Sequence, residues 1–453
     1  MHIEENSICG CALCGNNKSF NMPDEIIESV KNEELILFCG AGISTESKSV
    51  LPISFYMDIL NFLNDKHSLG LTTDISFSEL MSTFCNVVPN GRKALFRKIK
   101  ERFDMVKAFP KLYNSATRFH KEVAKIPQIN TIVTTNWDDY FEKECAASPI
   151  IDNKDIPLWN TFSKRVFKIH GSINNIGSIV ATKEDYQKCY ERLEKEPIGD
   201  RLKTLLSSHC VVFIGFSFGD EDLNKIIDIL SEKLGEFANQ YYLVTLDEAW
   251  KNNKDTRIIP IITDGSFFIH SLNNILKEEG VLLNSEIYNF SKYAATYLSD
   301  FHNEWTEGEN FLKKLKQYPE LLLSVAYQNG MIHAYQRCSA NKEEGTFLKP
   351  GYLLDVSRTY DDFFHKRNSE GNYTYGYYDF GYSNGFLGLQ IFIETSSGEL
   401  PPMFTYNENF FETEDELIEY IMANRVEEIH NYCKKIVTQL PEETIPNFPP
   451  WYC

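Results

Sequence analysis

The stretch LILFCGAGIS, residues 35–44, carries four apolar side chains and a cysteine into Gly40-Ala41-Gly42 and turns polar at Ser44. A short, wholly apolar run of this kind predicts a strand buried on both faces, as in a parallel sheet. Glycines directly after such a strand let the backbone turn tightly and approach a phosphate, and the helix N-terminus that follows favours an anion. The same turn also serves as a plain connection. It is neither G-x-G-x-x-G nor a phosphate loop, because no Gly-Lys-Ser/Thr follows. On these ten residues alone, ligand binding and a purely structural turn both stand.

Working outward, five more β-branched runs follow: INTIVTTN (129–136), RVFKIHG (165–171), HCVVFIGFS (209–217), YYLVT (241–245) and RIIPIIT (257–263). Amphipathic stretches separate them. In DEDLNKIIDILSEKL (220–234), Leu223, Ile226, Ile227, Leu230 and Leu234 recur at helical spacing. This alternation predicts an α/β fold, a doubly wound parallel sheet. Beyond about residue 285 the texture changes to a helical stretch reaching about 335. YTYGYYDFGYSNGFLGLQIFIE (373–394), dense in aromatics and glycine, reads as strands and turns, and residues 414–440 read as one amphipathic helix. The expected organisation is a cysteine-containing extension over 1–20, the α/β domain over 21–285, and a separate α+β domain over 286–453.

Length and composition agree with that division. At 453 residues the chain exceeds one ordinary core, and 43% hydrophobic content is globular. A formal charge of −19 argues against a broad electrostatic footprint for nucleic acid or an anionic membrane. No run of about 18 apolar residues occurs and no basic segment precedes an apolar one near residue 1, so a cytoplasmic protein is expected. Of eleven cysteines, Cys39, Cys85, Cys145, Cys189 and Cys210 sit singly in apolar or helical patterns and read as buried thiols. Cys9, Cys11 and Cys14 in CGCALCG, with His2, offer zinc-ligating groups but lack the two spaced pairs of a zinc ribbon, so no metal is expected there.

Three further strand ends carry chemistry-bearing residues. VTTNWDDYF (133–141) places Asn136 and Asp138 at the carboxyl edge of the sheet, where open α/β sheets bind ligands. Asp138 or Asp139 could equally cap the next helix, with Asn136 filling the turn. VFKIHGS (166–172) ends an apolar strand on His170, a general base or a satisfied structural histidine. VVFIGFSFGDEDL (211–223) sets Gly215 and Ser217 after a very apolar strand, suited to ribose or phosphate oxygens or to another turn.

The four turns in this order, GAGIS, TTNWD, HG and GFSxxDxxL, resemble the sirtuin fold over roughly residues 20–280. The resemblance implies an NAD+ site in which Gly40, Ala41, Gly42, Ile43 and Ser44 hold the dinucleotide. It further implies that Asn136 and Asp138 surround the nicotinamide and its ribose, that His170 is the base, and that Gly215 and Ser217 contact the far ribose and phosphate. Two departures matter. Protein-deacylating sirtuins carry two cysteine pairs after the histidine, whereas this chain has only Cys189 and Cys210 in that region, so their zinc module is not expected. Their Asp-Phe-Arg after the glycines is also missing, and Pro52 and Phe55 suggest the Pro-x-x-aromatic version found in sirtuin-like NAD-degrading domains of bacterial antiphage systems.

The expectation is therefore an NAD+ glycohydrolase, with water as acceptor and nicotinamide and ADP-ribose as products. A protein deacylase or ADP-ribosyltransferase and a non-catalytic nucleotide-binding module are the alternatives. The C-terminal region is expected to regulate, through a protein partner or self-assembly, because its aromatic-rich stretch suits an interface, although the same rings suit a core.

Overall fold

All five residues of strand β1, Leu35–Cys39, are buried, because neighbouring strands pair with both its edges. The structure is a computed structural model that describes residues 1–3, 16–216, 225, 240–252, 257–308, 310–341 and 345–440. The chain divides into two compact units, Met1–Leu276 and Lys277–Cys453.

In the first unit, α1 (Asp24–Lys31) precedes β1, and six more strands follow: β2 Thr131–Thr134, β3 Ser148–Ile150, β4 Arg165–Lys168, β5 Cys210–Ile214, β6 Tyr241–Thr245 and β7 Ile258–Ile262. They form one parallel sheet in the order β3-β4-β2-β1-β5-β6-β7. The chain builds one side of β1 first and then crosses to the other, so the carboxyl ends of β2, β1 and β5 flank the point where strand order reverses. Crevices for ligands open at such points. The six expected strands are all present. β3 escaped the sequence reading because it is three residues long and contains Pro149; it is an edge strand, as is β7 with Pro260, and an edge is where a strand tolerates proline.

Four helices connect β1 to β2: α2 Phe55–His67, α3 Phe77–Val87, α4 Gly91–Ala108 and α5 Pro110–Ala124. They bury Ile59, Leu63, Leu80, Phe84, Leu95 and Ile99 in a cluster of their own. After β2 comes the short α6, Tyr140–Glu144. α7 (Lys183–Lys195) and α8 (Pro197–Ser208) bring Leu193, Ile198, Leu202 and Leu206 against Phe38, Phe167 and Phe213 of the sheet. α9, Gly265–Glu278, follows β7. The helix expected at 220–234 lies, residue 225 apart, outside the described residues, as do Ser217 and the cysteines Cys9, Cys11 and Cys14.

The second unit is mainly helical: α10 Ser285–Thr306, α11 Phe311–Gln317, α12 Leu321–Ala340, α13 Pro350–Ser369 and α14 Tyr373–Thr395, then a hairpin of β8 (Phe404–Tyr406) and β9 (Asn409–Phe411), then α15 Glu414–Ala423 and α16 Glu427–Val437. The reading of 373–394 as strands and turns is corrected: it is one helix. Gly381, Gly385 and Gly388 recur at helical spacing along one face, and α12 packs directly on that face. A Cβ at Gly381 would lie 1.8 Å from the Tyr327 carbonyl oxygen, and one at Gly330 of α12 would lie 2.0 Å from that of Tyr378. The glycines permit backbone-to-backbone contact between two helices, a tertiary reason that local composition does not reveal. The single helix expected over 414–440 is also corrected. It breaks at Arg425 and Val426, where Arg425 Nε meets buried Glu320 at 3.0 Å and the Val426 N–H donates to Tyr406 Oη at 3.0 Å.

Two stability predictions follow from this packing. Gly381→Ala is expected to destabilise the second unit by about 1–3 kcal/mol or more, through overpacking, whereas Gly351→Ala, at an exposed helical position with open space around it, should gain about 0.5–1 kcal/mol; denaturant titration of both variants checks this. His120 on α5 is fully buried, 4.4 Å from the Phe141 ring, and burial pulls its pKa down to about 4. An unfolded histidine titrates near 6.5, so between about pH 4 and 6.5 the unfolded chain binds more protons, and stability must fall as pH drops through that window, by up to about 3 kcal/mol. Parent minus His120→Gln, in melts from pH 7 to 4, isolates this slope from that of His333, which burial also lowers to about 4.

Candidate functional site

The turn after β1 is seated on the turn after β5. Gly40 N donates to the Ile214 carbonyl at 2.8 Å and Gly42 N to that of Gly215 at 3.0 Å. A Cβ on Gly40 would stand 2.7 Å from the Gly215 oxygen, and one on Gly42 2.9 Å from it. Gly215 itself has φ +84°. The glycines at 40, 42 and 215 thus have a steric reason that holds with or without a ligand.

From this seat the site is assembled by hydrogen bonds. Thr134 Oγ1, at the end of β2, donates to the Cys39 carbonyl at 2.9 Å and accepts from Asn136 N at 3.0 Å. Asn136 Nδ2 then donates to the Gly40 carbonyl at 3.1 Å and lies 3.4 Å from Ser44 Oγ. Asn136 Oδ1, Trp137 Nε1 and Asp138 Oδ2 are buried and find no hydrogen-bond partner among the described residues. Three such atoms in consecutive residues is unusual for a folded protein, where buried polar groups are nearly always paired. Asp138 Oδ1 accepts from Tyr140 N at 3.3 Å, so this residue does hold the first amide of α6. Asp139 instead pairs with Lys107 at 2.9 Å and Lys143 at 3.1 Å. Burial works against its charge, but these two partners prevail and hold its carboxyl below the ordinary value.

His170 follows β4, buried, with Tyr186 of α7 edge-on at 4.9 Å. Gly171, at φ +81°, turns the chain sharply so that the His170 carbonyl accepts from Val180 N at 3.0 Å. Beneath the 136–142 segment lies Lys168, only 1% exposed. Its ammonium donates to the Asp138 carbonyl and, at 3.0 Å, to Glu142 Oε1. Burial raises the Glu142 pKa, with the Lys168 ammonium pulling the other way.

Ala41, Ser44, Asn136, Asp138 and His170 all line one cleft of about 490 Å³. Gly40, Gly42, Ile43 and Gly215 are not among its lining residues and support it from behind; Ser217 lies outside the described residues. The helical insertion adds Phe55, Phe77 and Phe103 to the wall, and Trp137 of the loop after β2 stands 6.1 Å from Phe77. Phe55 opens α2, and its N–H donates to Glu46 Oε2 at 2.7 Å. Glu46 is gripped by Arg102 of α4, whose Nε stands 2.7 Å from Oε1 and whose Nη2 also reaches the Ile53 carbonyl at 2.7 Å.

The sequence reading missed Glu46, Arg102, Trp137, Lys168 and Tyr186. Lys168 had a signal, a charge inside the otherwise apolar VFKIHG. Arg102 had none, since it sits among the regularly spaced charges of α4. Among the described residues no three His, Cys, Asp or Glu side chains group closely enough to hold a metal ion.

Residues 130–259 match the family described as SIR2-like domain. The chain is 28% identical over 224 residues to a protein of Cytobacillus dafuensis named NAD(+) hydrolase ThsA, covering 48% of this chain and 42% of that one. It is 31% identical over 223 residues to the protein of that name from Enterococcus faecium, covering 48% and 44%. To a Bacillus subtilis protein named Defense-associated sirtuin 2 it is 24% identical over 258 residues, covering 52% and 24%. The chain thus spans less than half the length of these relatives. The parallel sheet of the first unit agrees with that match: residues 130–259, which supply its strands β2 to β6, are similar to a SIR2-like domain.

Proposed function

We propose that the chain is an NAD+ glycohydrolase of bacterial antiphage defence, cleaving the nicotinamide–ribose bond to give nicotinamide and ADP-ribose. The observation that carries this reading is that Asn136 and His170, at the ends of neighbouring strands, line one cleft together with Ala41 and Ser44 of the turn after β1. The names of the relatives, NAD(+) hydrolase and defence-associated sirtuin, support the same chemistry and setting.

The leaving nicotinamide departs neutral from a cationic ring, so it needs no general acid. The demand falls on the oxocarbenium-like ribose and its nucleophile. The backbone of Gly40–Ser44, with Gly215 and Ser217, holds the pyrophosphate and ribose and fixes the nicotinamide end between Asn136 and His170. Asp138 orients the carboxamide through the oxygen that has no partner among the described residues. Asn136 positions the water. His170 takes its proton, a contribution of about 10²–10⁴-fold. The protein is proposed to act in the cytoplasm, switched by a partner or by self-assembly through the second unit, since unchecked NAD+ loss would kill the cell.

His170→Ala and Asn136→Ala are each expected to lower nicotinamide release by about 10²-fold or more. Both side chains are buried, and Asn136 holds the Gly40 carbonyl, so its alanine variant should also lose about 1 kcal/mol of stability. Nicotinamide release and a melting curve on the same samples, with co-purified partners present, check both. Undiminished cleavage by two folded variants overturns the mechanism, and label transfer from NAD+ to protein with little free ADP-ribose points instead to a transferase.

A further inference from the structure

We infer that Lys168 is a positioning residue for this reaction: its buried ammonium fixes the loop bearing Asn136 and Asp138 against the end of β4, which His170 follows. The inference rests on the NAD+ cleavage proposed above. A lysine with 1% exposure is a costly thing to keep in a core unless its three donors are used. Lys168 directs two of them at a single segment. One goes to the main-chain carbonyl of Asp138, and another reaches Glu142 Oε1 on α6, at 3.0 Å, so the segment is gripped near both ends.

Placement relative to His170 gives the grip its meaning. Two residues before the histidine, Lys168 bonds the Asp138 carbonyl. Three residues after it, Ile173 N donates to the Trp137 carbonyl at 2.7 Å. The two bonds bracket His170 in sequence and land on consecutive carbonyls of the opposing loop. The distance between the side chain that would position water and the side chain that would take its proton is therefore set by this pair of bonds. One is a main-chain bond present with any residue at 173. The other depends wholly on the side chain at 168. A role limited to neutralising Glu142 would not require the bond to the Asp138 carbonyl.

Because misplacement of reacting groups by about 1 Å costs about 10²-fold in rate, the effect should fall on kcat. KM should change less, since the glycine turn is anchored independently on Gly215. The test compares the full chain with Lys168→Met/Glu142→Gln, which removes both charges of the buried pair and leaves no isolated ion, and with Lys168→Arg, which keeps a cation and donors. Folding is followed by circular dichroism and melting. The expected result is a folded double variant with kcat down about 10²-fold and KM within about threefold, and Lys168→Arg retaining clearly more activity than the double variant. A folded double variant with kcat within about threefold of the parent, a change confined to KM, or Lys168→Arg no better than the double variant overturns the inference and leaves the proposed reaction standing. If the double variant does not fold, the same three criteria are read on Lys168→Arg and Lys168→Gln. A parent chain that releases no nicotinamide with its co-purified partners present overturns the proposed reaction, and the role of Lys168 with it.

Discussion

The site depends on a contact between two stretches of backbone. The turn leaving β1 donates two hydrogen bonds into the turn leaving β5, Gly40 N to Ile214 and Gly42 N to Gly215, and no side chain fits between them. This seat fixes the Gly40 carbonyl, which takes the Asn136 amide. Asn136 in turn is continuous with Trp137 and Asp138, whose carbonyls are held by Ile173 and Lys168 on either side of His170. Strand ends that are separate in sequence become one rigid arrangement by a chain of short polar bonds. Cooperative networks of this kind hold geometry better than any of their bonds does alone.

Much of this was readable from the residues. Buried parallel strands announce themselves as unbroken β-branched runs, and the glycine, asparagine and histidine at their ends stood out because polar residues and glycines interrupt such runs at fixed places. The residues that hold the network together were less visible. Lys168 looked like one charge in a strand, and only its burial shows that it faces the loop before α6. Glu46 and Arg102 are 56 positions apart, and their pairing depends on how the helical insertion folds back on the cleft. In the second unit the error had a different origin. Tyrosine, phenylalanine and glycine favour strands and turns locally, but in α14 they serve a helix whose glycine face lies against α12.

The second unit has its own core, in which Tyr327, Tyr335, Phe386 and Leu389 surround the α12–α14 contact, and in it buried Glu320 meets Arg425 at 3.0 Å and His430 at 2.8 Å. Glu320 has no exposed surface on its side chain, and these two contacts are what the fold offers its carboxylate. A module with an independent core is consistent with the regulatory role proposed for it.

The most direct test of the account is a crystal structure of the full chain carrying His170→Ala, grown with NAD+. The account predicts the pyrophosphate against Ala41–Ser44, the nicotinamide end beside Asn136 at the place vacated by the imidazole, and the carboxamide within hydrogen-bond distance of Asp138 Oδ2. A dinucleotide bound elsewhere, or reversed so that adenine occupies the space between Asn136 and residue 170, would contradict it.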